Sequence, residues 1–153
     1  MNKTEFKSLI INQMIFDVEE KIQLSKDQIN SINLSKSSAT KSSAGDKHET
    51  SRAMMERELA MAQFQLQKAQ QQKSDIKNLK KSTNSEGIIT VGSVIHTSTG
   101  YFILGIGLGK IELDGAMCFA VSSASPIGKI LLGKKVGDVF EFNASKIEII
   151  SIS

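Results

Sequence analysis

Few residues in this chain combine a type and a spacing suited to chemistry. Cys118 stands alone between Met117 and Phe119 in an apolar run, with no histidine near it in sequence. A core thiol is the reading that fits. A single cysteine forms no internal disulfide, which suits a reducing, cytoplasmic setting. Gly105-Ile-Gly-Leu-Gly109 superficially has the look of a phosphate loop, but it lacks the fingerprint spacing and precedes no convincing helix. Turns between strands account for it better. The remaining candidates are Asp46 and Glu49, three residues apart, with His48 beside them. Asp-x-x-Glu at a helix start is a capping box, in which Asp46 is the N-cap and Glu49 reaches back to its amide. His48 there reads as a solvated side chain.

The elements that must position these acids follow from periodicity. The first half holds one glycine, Gly45, and no proline. Ile11, Ile15, Val18, Ile22, Ser25, Ile29 and Ile32 step alternately by four and three, which is a heptad seam. Met55, Leu59, Ala62, Leu66, Ala69, Lys73 and Ile76 form a second seam of the same kind. Between them, Ser35 to Gly45 is small and polar and reads as a loop. Two seams of equal length joined by a short loop predict an antiparallel hairpin, with helices near 4–34 and 48–81 and a tip near 36–48. At ~1.5 Å per residue each arm is about 45 Å long. Charges at such a tip are screened from the rest of the chain beyond ~10 Å. The acids therefore either cap the second helix or serve something the tip is inserted into.

From Gly87 the period becomes strand-like. Short runs at 88–91, 94–97, 101–104, 116–121, 139–142 and 146–150 are punctuated by glycines, and Pro126 to Leu132 reads as a short helix followed by Gly133. The expected class is α+β: residues 1–84 as a coiled-coil hairpin, then 87–153 as a small antiparallel β domain with one short helix. Formal charge is +3, and all of it lies in residues 1–86, with fourteen Lys+Arg against eleven Asp+Glu. The excess is too diffuse to mark a nucleic-acid surface. No stretch approaches the ~20 apolar residues of a membrane span, and the first residues carry no secretory pattern.

Ser125-Pro-Ile-Gly-Lys-Ile-Leu-Leu-Gly-Lys-Lys-Val-Gly-Asp138 resembles the C-terminal signature of the bacterial Gre transcription elongation factors. The order of parts fits that family across the chain, a coiled-coil hairpin followed by an FKBP-like β domain. Gly45-Asp46-Lys47-His48-Glu49 is similar to the Gly-Asp-x-x-Glu of Gre hairpin tips. The resemblance implies an accessory factor with no active site or cofactor of its own. It would dock on RNA polymerase through Ser125, Pro126, Ile127 and Gly128, with Ile127 an exposed apolar contact. Its tip would enter the secondary channel, where Asp46 and Glu49 would help hold Mg²⁺ in the polymerase active site and so stimulate cleavage of backtracked RNA. Contact with nascent RNA or DNA would then be indirect. One or two carboxylates suit Mg²⁺, which prefers hard oxygens and keeps much of its water. The chain departs from the family pattern at His48 and at Thr50-Ser51-Arg52, which leaves open a regulator that occupies the channel without promoting cleavage. An FKBP-like domain also raises prolyl isomerase activity, but that needs an aromatic-lined pocket, and the chain has no Trp and one Tyr.

Overall fold

The computed structural model describes residues 3–39, 45–82 and 87–153, and the side chains of 39 and 45–48 lie outside that description. Two compact units result, Asp17–Lys73 and the combination of Met1–Phe16 with Ser74–Ser153. Helices α1 (Lys3–Ala39) and α2 (Gly45–Lys80) run through both. Every position of both predicted seams is buried or half-buried, as a heptad pattern requires. Within the unit Asp17–Lys73, Lys36 pairs with Glu56 at 3.9 Å and Lys73 with Glu19 at 3.0 Å. Stepping back along α1 from Lys36 to Glu19 advances α2 from Glu56 to Lys73 by the same number of residues, so the helices are antiparallel and in constant register. The seam is thin where Ser25, Ala62 and Ala69 are buried. Grooves of about 320 and 450 Å³ open there, lined among others by Ser25 and Ala69 and by Ile32 and Ala62.

The other unit is a six-stranded sheet in the order β3-β4-β2-β1-β6-β5. The strands are β1 Val94–Thr97, β2 Gly100–Gly105, β3 Gly109–Leu113, β4 Ala116–Ser122, β5 Val139–Phe142 and β6 Ser145–Ile152, with α3 (Pro126–Leu131) after β4. Alternation of side chains along each strand gives the sheet two faces. On one, Ile95, Phe102, Leu104, Phe140, Ile147 and Ile149 form a core with Ile89, Ile127 and Leu131. On the other, Val94, Ile103, Ile111, Cys118 and Ala120 are buried. There the Phe6 ring meets Tyr101 at 4.5 Å, and Tyr101 stacks on His96 at 4.4 Å. Lys7 donates from Nζ to the Ser82 carbonyl at 2.9 Å, tying the start of α1 to the end of α2, and burial pushes its ammonium pKa down.

The α+β class and the order of parts stand as expected. Three details differ. The helices reach further toward the tip than 34 and 48, because Ser35 to Ala39 contains no helix breaker and Lys36 finds Glu56 across the pair. The sheet is mixed rather than antiparallel, since β2 and β4 are parallel. After β2 the chain passes to the sheet edge as β3, and β4 returns into the gap between them. Residues 88–91 form no strand, only a bridge from Ile88 to Lys135, whereas Gly109–Leu113, outside the strand runs expected from sequence, is strand β3.

Two outcomes follow. Ser25→Leu restores a large apolar residue to the thin seam and raises helix stability by about 1 kcal/mol, read as a higher far-ultraviolet dichroism melt; an unchanged or lower melt contradicts the seam assignment. Cys118 is fully buried and its thiol is pushed up to about 12 by burial, so it resists alkylation at neutral pH until denaturant is added. Labelling of the native chain at the denatured rate contradicts its placement in the core.

Candidate functional site

The signature segment begins where β4 ends. Ser122 turns the chain, and its carbonyl accepts hydrogen bonds from the Ser125 N–H at 3.1 Å and the Ser125 hydroxyl at 2.6 Å. Ser125 then caps α3: its Oγ accepts from the Gly128 N–H at 3.1 Å, while its backbone is extended. A serine hydroxyl there satisfies a helix amide that would otherwise lack a partner. Pro126 follows at the first helical turn, where its missing N–H costs nothing. Gly128 has no substitute, because a Cβ on it would run into the Ser122 carbonyl.

The helix is two-sided. Ile127, Gly128 and Leu131 are buried, and Ile127 and Leu131 join the core over Ile95 and Phe102. Pro126, Lys129 and Leu132 are exposed. The expectation that Ile127 is an exposed apolar contact is therefore corrected: it is 9% exposed and anchors α3 to the sheet. Its apolar side chain reads equally as contact or core in sequence, and the helical phase decides for core. Ser125 and Gly128 are likewise occupied in building the turn. Lys129, on the side of α3 away from Leu131, and Leu132, its C-cap, are exposed but do not follow from the motif residues Ser125 to Gly128.

The rest of the signature also shapes backbone. Gly133 and Gly137 have φ of +87° and +91°, which favours glycine. The Asp138 carboxylate accepts from the Lys135 N–H at 2.8 Å and closes the turn into β5. Residues 88 and 89 are held by this turn, with the Ile89 N–H donating to the Lys134 carbonyl at 2.8 Å. What remains outward from Pro126 to Val136 is a surface of Pro126, Lys129, Leu132, Lys135 and Val136, mixed apolar and cationic.

The two acids lie elsewhere, at the start of α2. Glu49 is exposed. The side chains of Asp46 and His48 lie outside the described residues. The helix begins at Gly45, so the backbone places Asp46 inside the first turn rather than before it, within the usual one- to two-residue latitude of helix ends. Among the described residues no group of three or more His, Cys, Asp or Glu could hold a metal ion, and no helix is long and apolar enough to cross a membrane.

The turn sets a ranked series of stability losses. Ser125→Ala costs about 1 kcal/mol through the lost cap. Gly128→Ala costs about 2 kcal/mol or more, because the Ser122 backbone must move. Ile127→Asp, which buries a charge, prevents folding of the sheet unit. Urea midpoints followed by Tyr101 fluorescence test the order, and equal midpoints for all three variants contradict it.

Two comparisons bear on this geometry. Residues 84–153 match the family model described as transcription elongation factor, GreA/GreB, C-terminal. Transcription elongation factor GreA from Clostridium perfringens strains SM101, ATCC 13124 and 13 is 37% identical over 79 residues, covering 47% of this chain and 49% of each relative. The chain thus spans about half the length of the curated relatives it matches. The matched region contains the whole of the Ser125–Asp138 signature, and each of its capping, glycine and turn residues has the structural task just described. Over residues 84–153, the chain is similar to the C-terminal part of the GreA/GreB transcription elongation factors.

Proposed function

We propose that the chain is a Gre-type factor that docks on RNA polymerase and stimulates hydrolysis of backtracked RNA with the acids at its hairpin tip. The observation that carries this reading is the family match over 84–153, where the signature is intact down to its N-cap serine and its obligatory glycine. Docking uses the outward side of α3. Pro126, Lys129 and Leu132 offer the partner a mixed apolar and cationic surface, and Ser125, Ile127 and Gly128 hold that surface in shape from beneath. A basic residue beside an exposed leucine suits a protein partner with a complementary acidic and apolar groove, in which the cation contributes mainly to orientation and rate.

At the other end, positions 46 and 49 fall on one face of α2 by helical spacing, and Glu49 is exposed. Inserted through the secondary channel, their carboxylates would offer hard oxygens to a Mg²⁺ of the polymerase and accept a hydrogen bond from the attacking water. The bound ions supply stabilisation of the attacking and leaving oxygens. This chain supplies position and charge and is not itself the hydrolase; its contacts with RNA or DNA are those the polymerase permits. A second reading, a channel-occupying regulator that promotes no cleavage, is favoured by Thr50-Ser51-Arg52 after Glu49, where family members carry further acidic and aromatic residues.

One experiment separates these. The chain is added to stalled elongation complexes, and binding and transcript cleavage are measured for the native protein, for Lys129→Glu and for Asp46→Asn with Glu49→Gln. Asn and Gln keep the capping capacity of the acids but not their charge. The tip variant is expected to bind polymerase normally and lose Mg²⁺-dependent cleavage, and Lys129→Glu to lose both. Native binding without cleavage selects the channel-occupying reading. No binding by the native chain overturns both.

A further inference from the structure

The sheet has two edges, β3 and β5. An edge strand leaves one row of backbone N–H and C=O groups available for a further strand, and proteins usually blunt such edges. The β3 edge is Gly109-Lys-Ile-Glu-Leu113, fully described and, among the described residues, paired with β4 on one side only. Its side chains are symmetric in an unusual sense. Lys110 and Glu112 flank Ile111, point to the same face and are exposed, joined to each other by an intrastrand ion pair at 3.3 Å. Such an exposed pair contributes little by itself.

We propose that β3 is a self-association edge, through which a second copy of this chain adds antiparallel across a two-fold axis at Ile111. In that register Lys110 of each copy lies opposite Glu112 of the other, which makes two cross-strand opposite-charge pairs. Leu113 falls opposite Gly109, which has no side chain and nothing within 4 Å of where a Cβ would stand. Ile111 lies on the axis but is already covered within each copy, on the face that holds Cys118, so the backbone ladder and the two charge pairs carry the contact. On the face that carries the Phe102 core, Met117 and Phe119, 46% and 36% exposed, sit directly behind Glu112 and Lys110. They gain cover from the aliphatic stems of the lysines. The contact is isologous, so it closes at a dimer and does not propagate. The opposite edge lacks this property: an antiparallel copy centred on Phe140 would set Val139 against Glu141, with no charge to meet it. The complementarity is internal to the strand, which is why the occupant is a second copy rather than an unrelated peptide. The inference is independent of polymerase docking, since it uses none of the α3 surface.

Sedimentation velocity of the full chain at low salt, from micromolar to millimolar concentration, tests it. The native chain is expected to shift from monomer to dimer. Lys110→Glu and Glu112→Lys each set like charges opposite one another and weaken the dimer about tenfold, with unchanged circular dichroism. The double exchange, Lys110→Glu with Glu112→Lys, restores dimerisation, and so does an equimolar mixture of the two single variants. A monomer at every concentration overturns the proposal, as does a single variant that dimerises like the native chain. Failure of the double exchange to rescue overturns the register.

Discussion

The sheet unit is organised by how closely the end of α2 approaches the sheet, and glycine permits that approach. A side chain at Gly92 would collide with the Ser82 hydroxyl, and one at Gly105 would meet Leu79 Cδ2 at 2.6 Å. Gly92 also has φ of +95° and donates to the Leu104 carbonyl at 2.6 Å, so its backbone conformation and its lack of a side chain are both used. With those two positions bare, Leu79 is buried against the strands, and Ser82 is free to receive Lys7 from the start of α1. Phe6 reaches Tyr101 through the same arrangement. One close packing contact therefore joins the start of α1 and the end of α2 to the sheet.

The same economy appears in the signature loop. Serine, proline, isoleucine and glycine in that order give a cap, a preset first turn, a core anchor and a clearance for the Ser122 carbonyl. A motif this specific looks like a contact surface in sequence, yet three of its four residues are occupied internally. The surface they present belongs to their neighbours Lys129 and Leu132. In the helical unit the opposite holds: Ser25, Ala62 and Ala69 keep the seam narrow and open to grooves, so the pair of helices gains less from apolar burial than a fully apolar heptad seam would give.

Much of this was legible in the sequence. Both seams were read residue by residue, because a heptad repeat with no proline has one physical interpretation, and five of the six strands and α3 follow from β-branched runs between glycines. The helix ends near the tip were misplaced because a serine- and lysine-rich stretch is compatible with loop and helix alike, and only a partner such as Glu56 decides. β3 was missed because Lys110-Ile-Glu-Leu113 is short and half charged, which is what an edge strand allows. The parallel pairing of β2 and β4 depends on a crossover that local patterns do not encode. Ile127 was placed on the wrong side because a four-residue motif carries no helical phase until its capping geometry is known.

On the proposed function, one chain engages polymerase through two separate surfaces, the outward side of α3 and the start of α2. Hydrogen–deuterium exchange on the chain, free and bound to a stalled elongation complex, addresses both at once. The account predicts slowed exchange in 124–133 and in 45–50, with the sheet strands unchanged. Binding that leaves both segments exchanging at the free rate, and protects other residues instead, would contradict it.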